Sequence, residues 1–333
     1  MRAVGFRTPG GPEVLQVVDV PVPVPGPGQV LVEVAYAGVN FAEIYRRRGW
    51  AAPAGDAAVV PGLEVSGHVA ACGEGVDGLA VGDPVAALTH EQTGASGGYA
   101  QYAVAPQELV YPLRTERGEV DLLTAAALPC TVTTAYGLLA AGRLTAGEDV
   151  LIHAALGSVG STTAGIARLL GARRVLGTVG SPAKLARAEA ALYDELYLRD
   201  DVRGWAEPSA PEHGVDLVLD SVSGPTTTAS IGALRALGRV VVYGNPGNHA
   251  DAPVSTHALW LSSKAVIGYN MGEIAVQAPR VLRDQALRAA ELMASRRLAV
   301  DVGEIMPLEC AREAHRLLES GTSVGKLVLR VAD

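Results

Sequence analysis

The chain has 333 residues, 49% of them hydrophobic and 19% charged, which is enough for two domains with separate cores. Its formal net charge is −8, and its largest basic cluster is YRRRG at 45–49. Nucleic-acid binding is therefore not expected, because neutralising phosphates requires a basic surface. No apolar run reaches the roughly 18 residues that a membrane span needs, and the N-terminal MRAVGFRTPGG lacks the apolar core of a signal peptide. Three widely separated cysteines fit a reduced, cytoplasmic protein better than a disulfide framework.

The sequence pattern of the first part of the chain predicts a β-rich domain. Short alternating runs such as QVLVEVAYAGV (29–39) and VSGHVAACG (65–73) are separated by Gly and Pro turns. The segment VPVPVPGPGQ (20–29) cannot be a central strand, because proline lacks the N–H that a sheet requires. We expect it to be a stiff surface connection.

From residue 121 the pattern changes to alternating strands and helices. The stretch DLLTAAALPCTVTTAYGLLAAG reads as helical segments interrupted by Pro129. Apolar runs then predict strands at 149–153, 173–179, 195–199, 215–221, 239–244 and 265–269, with helices at 159–170, 182–192 and 226–237 between them. This alternation predicts an α/β fold with a doubly wound parallel sheet. The tail predicts two amphipathic helices, 279–295 and 310–319, and a last strand, KLVLRV, which we expect to pack on the first domain.

A glycine loop joins the first predicted strand of this alternation to its helix. The G-x-G-x-x-G positions of a dinucleotide-binding loop are Ala155, Gly157 and Gly160. Gly157 would allow close approach of a pyrophosphate, and Gly160 would allow tight packing of the helix on the strand. The helix N-terminus would bind the phosphates. Alanine at the first position is tolerable if its φ is negative, and an ordinary glycine turn is the alternative.

The region after the second predicted strand indicates which dinucleotide is bound. An acidic residue there would bind the ribose 2′-hydroxyl of NAD. The stretch GTVGSPAK (177–184) instead has no Asp or Glu and offers Thr178, Ser181 and Lys184. Because these residues suit a 2′-phosphate, the sequence predicts NADPH. A merely solvated Lys184 is the alternative.

Several stretches together resemble the medium-chain dehydrogenase/reductase superfamily. The resemblance is closest to the zinc-free quinone oxidoreductases (zeta-crystallin-like), with polyketide enoyl reductases nearby. It rests on segments that run nearly end to end: GGPEVLQVVDVPVP (10–23), AGVNFAEIYRRRG (37–49), VPGLEVSGHVAACGEGVDGLAVGDPV (60–85), GGYAQYAV (97–104), HAALGSVG (153–160), YGNPG (243–247) and PLECAREAHRLLESGTSVGKLVL (307–329).

This resemblance implies a domain plan and an assembly state. It implies a GroES-like, β-rich catalytic domain at 1–122 that is completed by 272–333. A Rossmann NADP(H)-binding domain lies between them at 123–271, with the active site in the cleft. The resemblance also implies NADPH as the cofactor and a homodimer.

The zinc ligands of alcohol-oxidising relatives are mostly absent. Against their pattern, Gly38 stands at the first cysteine position and Leu63 at the histidine position, although Glu64 is retained. Only Cys130 keeps a thiol, and one ligand of three cannot hold zinc. The segment around 90–100 also has none of the four cysteines of a structural zinc site. We therefore expect no metal, and we expect Cys130 to be a small buried residue near the nicotinamide.

Without a metal, the chemistry favours hydride delivery to an activated acceptor, a quinone or an α,β-unsaturated carbonyl. Hydrogen-bond donors would stabilise the charge that develops on the acceptor oxygen, each contributing on the order of 3 kcal/mol. The candidates are Asn40, Tyr45 and Tyr136, and the resemblance places Asn40 beside the nicotinamide. Structural roles are the alternatives: turn closure for Asn40, a rim aromatic for Tyr45 and a core aromatic for Tyr136.

Further cofactor contacts follow from the resemblance. Ser158 would add a hydroxyl to the phosphates, and Arg199 would assist at the 2′-phosphate. The remaining residues of the implied cofactor site are Cys130, Thr133, Val159, Gly180, Tyr243, Gly244, Asn245, Asn270 and Lys326. His153 is expected to be a hydrogen-bonded core residue rather than a catalytic base.

Three functions fit these observations. The first is an NADPH-dependent reductase of quinones or enones acting on a small-molecule substrate. The second is a tailoring or trans-acting enoyl reductase in polyketide-type biosynthesis. The third is a non-catalytic NADPH-binding sensor, which would also retain most of the cofactor residues.

Overall fold

The computed structural model describes residues 1–50, 57–89, 97–186, 192–206 and 214–332. Its strands are, in chain order, β1 Arg2–Gly5, β2 Gln16–Asp19, β3 Gln29–Gly38, β4 Glu64–Cys72, β5 Pro84–Leu88, β6 Tyr102–Pro106, β7 Val110–Pro112, β8 Arg114–Thr115, β9 Gly118–Glu119, β10 Asp149–His153, β11 Arg174–Val179, β12 Glu195–Leu198, β13 Val215–Asp220, β14 Leu234–Val242, β15 Ala265–Gly268, β16 Val302–Pro307 and β17 Lys326–Arg330.

The α-helices are α1 Phe41–Arg47, α2 Leu122–Ala125, α3 Thr133–Ala141, α4 Ser158–Leu169, α5 Pro182–Ala186, α6 Val202–Ala206, α7 Pro225–Ala233, α8 Thr256–Ser262, α9 Met271–Gln277, α10 Pro279–Ala294 and α11 Ala311–Glu319. Short 3₁₀ turns lie at Pro12–Val14, Gln107–Leu109 and Leu308–Cys310, and a π-helical segment lies at Leu128–Val132. Among the described residues, none of the helices has the length and apolarity that crossing a bilayer demands.

The chain divides into two units, Met1–Thr133 with Ile274–Asp333, and Thr134–Glu273. The sequence predicts the first boundary at 122/123, whereas the helical stretch up to Thr133 belongs to the first unit. Contacts with β4 explain this difference, since Ser66 Oγ donates to the carbonyl of Leu122 and the Cys130 nitrogen donates to Glu64.

The first unit is built on a sheet of order β16-β17-β3-β4-β5-β7, with β6 also paired to β3. Strand β3 buries its apolar residues between Val30 and Val34 and exposes Glu33, as expected for a strand packed on a core. The final strand, β17, pairs antiparallel with β3. The C-terminal segment therefore completes the sheet of the N-terminal domain.

The second unit is a six-stranded parallel sheet of order β12-β11-β10-β13-β14-β15. Numbered within the unit, this is the 3-2-1-4-5-6 order of a Rossmann fold, whose ligands bind beyond the carboxyl ends of the strands near the switch between the first and fourth. Strand β10 is buried throughout, as its continuous apolar sequence predicts. The structure confirms the predicted fold class: a GroES-like β-rich domain with a doubly wound Rossmann domain.

Two predicted elements differ from those observed. The helix predicted at 226–237 ends at Ala233, because Leu234 takes extended backbone and pairs with Val215 of β13. Strand β14 consequently starts five residues before the predicted 239. For the helix predicted at 182–192, the described part is α5, and residues 187–191 lie outside the described residues.

Candidate active site

Asn40 stands at the N-terminus of α1, two residues after β3 ends at Gly38. Its backbone nitrogen donates to Glu43 Oε2 at 2.8 Å, and its Nδ2 donates to Glu43 Oε1 at 3.3 Å. Asparagine followed three residues later by glutamate is a capping-box pattern, so the turn-closing role of Asn40 is present. Asn40 is nevertheless only half-buried, so it can also contact a ligand.

Glu43 also belongs to this candidate site, although no prediction from the sequence named it. Its side chain is fully buried and also accepts a hydrogen bond from the Leu63 nitrogen at 2.8 Å. Burial raises the pKa of the Glu43 carboxyl, while the bond from Leu63 and the charge of Lys326 oppose that rise. The signal was present in the sequence, since NFAE (40–43) is itself a capping box.

Lys326, predicted from the resemblance as a cofactor ligand, is fully buried instead. Its Nζ donates to the Val39 carbonyl at 3.0 Å, to Asn40 Oδ1 at 2.7 Å and to Glu64 Oε1 at 2.5 Å. An ammonium group has three hydrogens, and protein oxygens accept all of them. This corrects the prediction: Lys326 contacts Asn40 but has no donor left for a cofactor.

Cys130 and Thr133 lie in the helical stretch that closes on Glu64. Cys130 is half-buried rather than fully buried as predicted. Its backbone nitrogen donates to Glu64 Oε2 at 2.8 Å. Thr133 is fully buried, and its hydroxyl donates to the Leu128 carbonyl at 2.7 Å. The Thr133 hydroxyl therefore stabilises the π-helical segment, and its predicted contact with the cofactor finds no support.

The two candidate tyrosines belong to different units. Tyr45, on α1 of the first unit, is half-buried and packs edge-to-face on Trp50 with ring centroids 6.1 Å apart. Tyr136, on α3 of the second unit, is also half-buried. Both rings are thus partly accessible, as a hydrogen-bonding role requires.

The glycine loop follows β10 and leads into α4, which begins at Ser158 after the N-cap residue Gly157. The left-handed residue of the loop is Ala154, with φ 53°, and not Ala155. A Cβ on Gly160 would lie 2.5 Å from the Ala154 carbonyl oxygen and 2.8 Å from that of Ala155. Glycine is therefore required at 160 for close packing of helix on strand. Ser158 and Val159, in the first turn, are half-exposed.

Tyr193, just before β12, stabilises this loop through its hydroxyl. Its buried hydroxyl lies 2.8 Å from the Ala155 carbonyl oxygen and 2.9 Å from that of Gly160. Burial raises the pKa of Tyr193 well above its ordinary value, so the hydroxyl remains a donor. Nothing in the local sequence marks this contact, since it joins residues over thirty positions apart.

The predicted 2′-phosphate end lies at the carboxyl ends of β11 and β12. Gly180 is exposed, and the Arg199 guanidinium lies 3.6 Å from where a Cβ on Gly180 would stand. Ser181 Oγ accepts a hydrogen bond from the backbone nitrogen of Lys184 at 3.3 Å, and both residues are half-buried. Arg199 also contacts the exposed Asp200. Lys184 in α5 and Arg199 just after β12 supply two cations, Ser181 supplies a hydroxyl, and this donor set fits a phosphate.

Thr178, by contrast, does not join this cluster. It is fully buried, and its Oγ1 lies 2.7 Å from His153 Nδ1, while His153 Nε2 lies 2.9 Å from Ser230 Oγ. Thr178 points into the core because alternate residues of β11 face opposite sides. Burial lowers the pKa of His153 to about 4, as for a neutral core histidine.

The loops after β14 and β15 use their polar groups internally. Asn245 holds His249 through both ends of its amide, at 2.8 Å each. The Gly244 carbonyl accepts a hydrogen bond from Ser223 Oγ at 2.7 Å. The backbone nitrogen of the half-buried Tyr243 donates to the Asp220 carbonyl at 2.9 Å. Asn270 is exposed, and its Oδ1 accepts from the Glu273 nitrogen at 3.3 Å to cap α9. These side chains shape the loops around the carboxyl edge of the sheet.

The positions that correspond to zinc ligands do not form a metal site among the described residues. No group of three or more His, Cys, Asp or Glu side chains there is arranged to hold a metal ion. Gly38 has no side chain, and a Cβ there would lie 2.6 Å from Glu64 Oε1 and 2.8 Å from Lys326 Cε. The buried ion pair therefore occupies the space that a ligand at 38 would need.

Comparisons with known proteins agree with this architecture. Residues 26–115 match the family model described as alcohol dehydrogenase GroES-like domain, and 193–329 match the one described as zinc-binding dehydrogenase. The quinone oxidoreductase of Lama guanicoe is 33% identical over 99% of this chain and 97% of that protein. A phenolphthiocerol/phthiocerol polyketide synthase chain of Mycobacterium tuberculosis is 30% identical over 97% of this chain but only 14% of its own length. The crystal structure of Escherichia coli quinone oxidoreductase complexed with NADPH has a TM-score of 0.86 and 28% identity, covering 99% of this chain and 100% of that one.

A GroES-like unit combined with a Rossmann unit defines an oxidoreductase of the dinucleotide-dependent class. More specifically, the chain belongs to the medium-chain dehydrogenase/reductase superfamily and, within it, to the quinone oxidoreductase branch. The predicted family is thereby confirmed. The NADPH in the Escherichia coli structure agrees with the cofactor predicted from the glycine loop and from Lys184.

Proposed function

We propose that this protein is an NADPH-dependent, metal-independent reductase that transfers hydride to a quinone or to an α,β-unsaturated carbonyl. The observation that carries the proposal is the amide of the half-buried Asn40, which buried charged groups hold in one orientation. A fixed hydrogen-bond donor is what an acceptor oxygen that gains negative charge requires.

The second unit would hold the cofactor. The N-terminus of α4 would bind the pyrophosphate: Gly157 would permit its close approach, Ser158 would add a hydroxyl, and Gly160 permits the helix to pack on the strand end. Ser181, Lys184 and Arg199 would bind the 2′-phosphate. When bound, NADPH supplies the hydride. The preference for NADPH over NADH rests on two cations at this position and on the absence of Asp and Glu from 177–184.

The first unit would act on the acceptor. Asn40 Nδ2 would donate to the acceptor oxygen, stabilising its charge by on the order of 3 kcal/mol in a preorganised site. The hydroxyls of Tyr45 and Tyr136 are the candidates for a second donor and for the proton that neutralises the product. These roles are proposals for the reaction, derived from residue type and partial burial.

Metal independence is supported by the residues at the three relevant positions. Zinc catalysis needs three protein ligands and an open position, whereas Gly38 and Leu63 provide no donor and only Cys130 carries a thiol. The acceptor must then be activated by its own conjugation. This restriction favours quinones and enones over simple alcohols and ketones.

Steady-state NADPH oxidation with a panel of quinones and enones tests the activity. We expect turnover with at least one acceptor, a fall in kcat of about 100-fold for Asn40→Ala, and a smaller fall for Tyr136→Phe. Tyr102→Phe is the matched control, because the Tyr102 hydroxyl contacts only the exposed Glu33 among the described bonds. NADPH binding without turnover of any acceptor would contradict the proposal and favour the sensor.

The cofactor assignment has its own test. Lys184→Ala and Arg199→Ala should each weaken NADPH binding by about tenfold while leaving NADH binding unchanged, because a lost phosphate contact is worth about 1.4 kcal/mol. Arg174→Ala is the matched control, since Arg174 begins β11 whereas Ser181 and Lys184 follow its end. Equal effects on both cofactors would remove these residues from the phosphate site.

An enoyl reductase of polyketide-type biosynthesis is the second candidate. It is favoured by the alignment of nearly the whole chain with one segment of the mycobacterial polyketide synthase. Activity on an enoyl thioester, with none on quinones, would identify this function. The hydride chemistry and the role of Asn40 are the same in both cases.

We further infer a homodimer and a cytoplasmic location. Strand β15 ends the described six-stranded sheet and carries half-buried apolar residues. Just before it in sequence, on α8, Trp260 and Leu261 are 72% and 67% exposed. An open sheet edge and exposed apolar side chains both favour contact with another chain. Light scattering should give twice the chain mass, and Leu261→Glu should yield a monomer.

The inferred cytoplasmic location is supported by the cysteines. All three cysteines are free thiols, as in a reducing compartment.

A further inference from the structure

Three fully buried charged side chains meet behind Asn40 in the first unit. Glu43, Glu64 and Lys326 are all 0% exposed. The sequence brings them from α1, β4 and β17, the last of these separated from Asn40 by 286 positions. Burying charge is costly unless every group is paired and hydrogen-bonded, so such a cluster must be held by complementary contacts.

Gly38 explains how the pair Glu64–Lys326 fits. In the sheet, Gly38 of β3 pairs with Glu64 of β4 on one side and with Val328 of β17 on the other. Because Gly38 has no Cβ, the two long side chains can cross over it, and an added Cβ would fall within 2.8 Å of both. The pair is thus built into the sheet.

The network determines which way the Asn40 amide faces. Lys326 can only donate, so the atom 2.7 Å from its Nζ must be Oδ1. Nδ2 then faces Glu43, whose carboxylate accepts one of its two hydrogens. Among the described contacts, the second Nδ2 hydrogen is left for a ligand. A rotated amide would place Nδ2 against the ammonium, which is unfavourable.

We propose that Lys326 is a positioning residue for the reaction: it holds the Asn40 amide with Nδ2 directed to the ligand, and Glu64 serves as its buried counter-ion. This inference rests on the proposed function in so far as Asn40 contacts the acceptor or cofactor. The charge on Lys326 also polarises the Asn40 amide, which strengthens Nδ2 as a donor. Lys326 itself touches neither ligand.

A purely structural role for the ion pair is the competing explanation, and a double variant separates the two. Lys326→Met alone leaves Glu64 as an uncompensated buried charge and will destabilise the protein. Lys326→Met with Glu64→Gln removes both charges of the ion pair, and the new amide can still bond the Thr131 hydroxyl that lies 3.1 Å from Glu64 Oε1. Glu43 keeps the hydrogen bond from the Leu63 nitrogen. Arg283→Met is the matched control, since Arg283 bonds the carbonyls of Gln107 and Val110 in the same unit.

Kinetics of these variants form the first test. We expect the double variant to fold and to lose about 10- to 100-fold in kcat, as for a displaced catalytic group, with NADPH affinity unchanged. In an Asn40→Ala background, the same double substitution should change kcat by less than about twofold, because its effect passes through Asn40. Arg283→Met should retain wild-type kcat. Equal losses with and without Asn40 would overturn the proposal.

Side-chain amide NMR of the protein without substrate is the second test and does not depend on activity. The chain has four asparagines, so ¹⁵N-asparagine labelling gives four amide pairs, and Asn40→Ala identifies the pair of interest. The Asn40 signals should shift and exchange faster with water in the double variant, but not in Arg283→Met. Unchanged Asn40 signals would refute the positioning role. Absence of turnover by the wild type would instead refute the proposed function, and the NMR result would still decide this inference.

Discussion

Gly160→Ala provides the sharpest test of the cofactor loop, because a single methyl group meets fixed backbone atoms. The added Cβ would lie 2.5 Å and 2.8 Å from two carbonyl oxygens of the loop, whereas real Cβ contacts stay beyond 3.0 Å. The start of α4 must therefore move by about 0.5 Å, the difference between 2.5 Å and 3.0 Å. Backbone oxygens, unlike flexible side-chain ends, cannot yield without moving the strand end and the loop.

The magnitude follows from two opposing effects. Overpacking of this kind costs about 1–3 kcal/mol, and alanine in place of a helical glycine returns up to about 1 kcal/mol. We expect Gly160→Ala to lower the free energy of unfolding by about 1–2 kcal/mol and to raise the Kd for NADPH at least about tenfold. Gly232→Ala in α7 is the control, since a Cβ there has no neighbour within 4 Å.

Urea denaturation and a fluorescence titration with NADPH measure both quantities. Gly232→Ala should be slightly more stable than the wild type, by about 0.5–1 kcal/mol, with unchanged NADPH affinity. If Gly160→Ala behaved like this control, the close approach of α4 to the end of β10 would be refuted.

Further predictions concern the Tyr193 hydroxyl and the pH dependence of stability. Tyr193→Phe should lower the free energy of unfolding by about 1 kcal/mol and raise the NADPH Kd several-fold; an unchanged Kd would mean that the loop keeps its shape without this hydroxyl. Burial raises the pKa of the Asp149 carboxyl, but hydrogen bonds from neighbouring arginines outweigh this effect and lower the pKa to about 2. Asp149 therefore stabilises the folded state above pH 3.8, and this stabilisation is lost as the pH falls towards 2. Asp149→Asn should be less stable than the wild type at neutral pH and lack this loss in urea titrations at graded pH. Burial lowers the pKa of His153 to about 4 and that of His315 to about 3. On acidification below pH 6.5 the unfolded chain therefore binds protons at these histidines before the folded protein does. The free energy of unfolding falls as a result. His315→Gln should reduce the slope of stability between pH 6.5 and 4 by about 1.4 kcal/mol per pH unit, and an unaltered slope would contradict a buried neutral histidine.

The parts of the fold that follow from local pattern were predictable. Continuous apolar runs predicted the strands of the Rossmann sheet. Near residue 121 the sequence pattern changes from short β-strands to alternating strands and helices, which predicted a second domain of a different fold. The boundary of the first unit was not predictable in the same way. It depends on Glu64 and Ser66 bonding a helical stretch some sixty residues later in the chain, and no local pattern encodes such a contact.

The candidate site shows the same division. Gly157, Gly160 and Lys184 could be proposed as cofactor residues because such a proposal needs only a residue type next to a strand end. Thr178 has a suitable hydroxyl but faces the core, and choosing between the two faces of β11 required its partner His153. Lys326 was recognised as important by resemblance, yet its role was assigned to the wrong neighbour because its three acceptors come from distant segments.

Pairing of the last strand with β3 has a consequence for the order in which the protein is made. The second unit is one continuous stretch, Thr134–Glu273, so it can fold while the rest of the chain is still on the ribosome. The first unit must wait for β17, and Asn40 gains its Lys326 contact only when residue 326 has left the exit tunnel. The second unit is therefore expected to mature before the first, and a chain interrupted late in synthesis would hold a Rossmann fold without the Lys326 contact of Asn40.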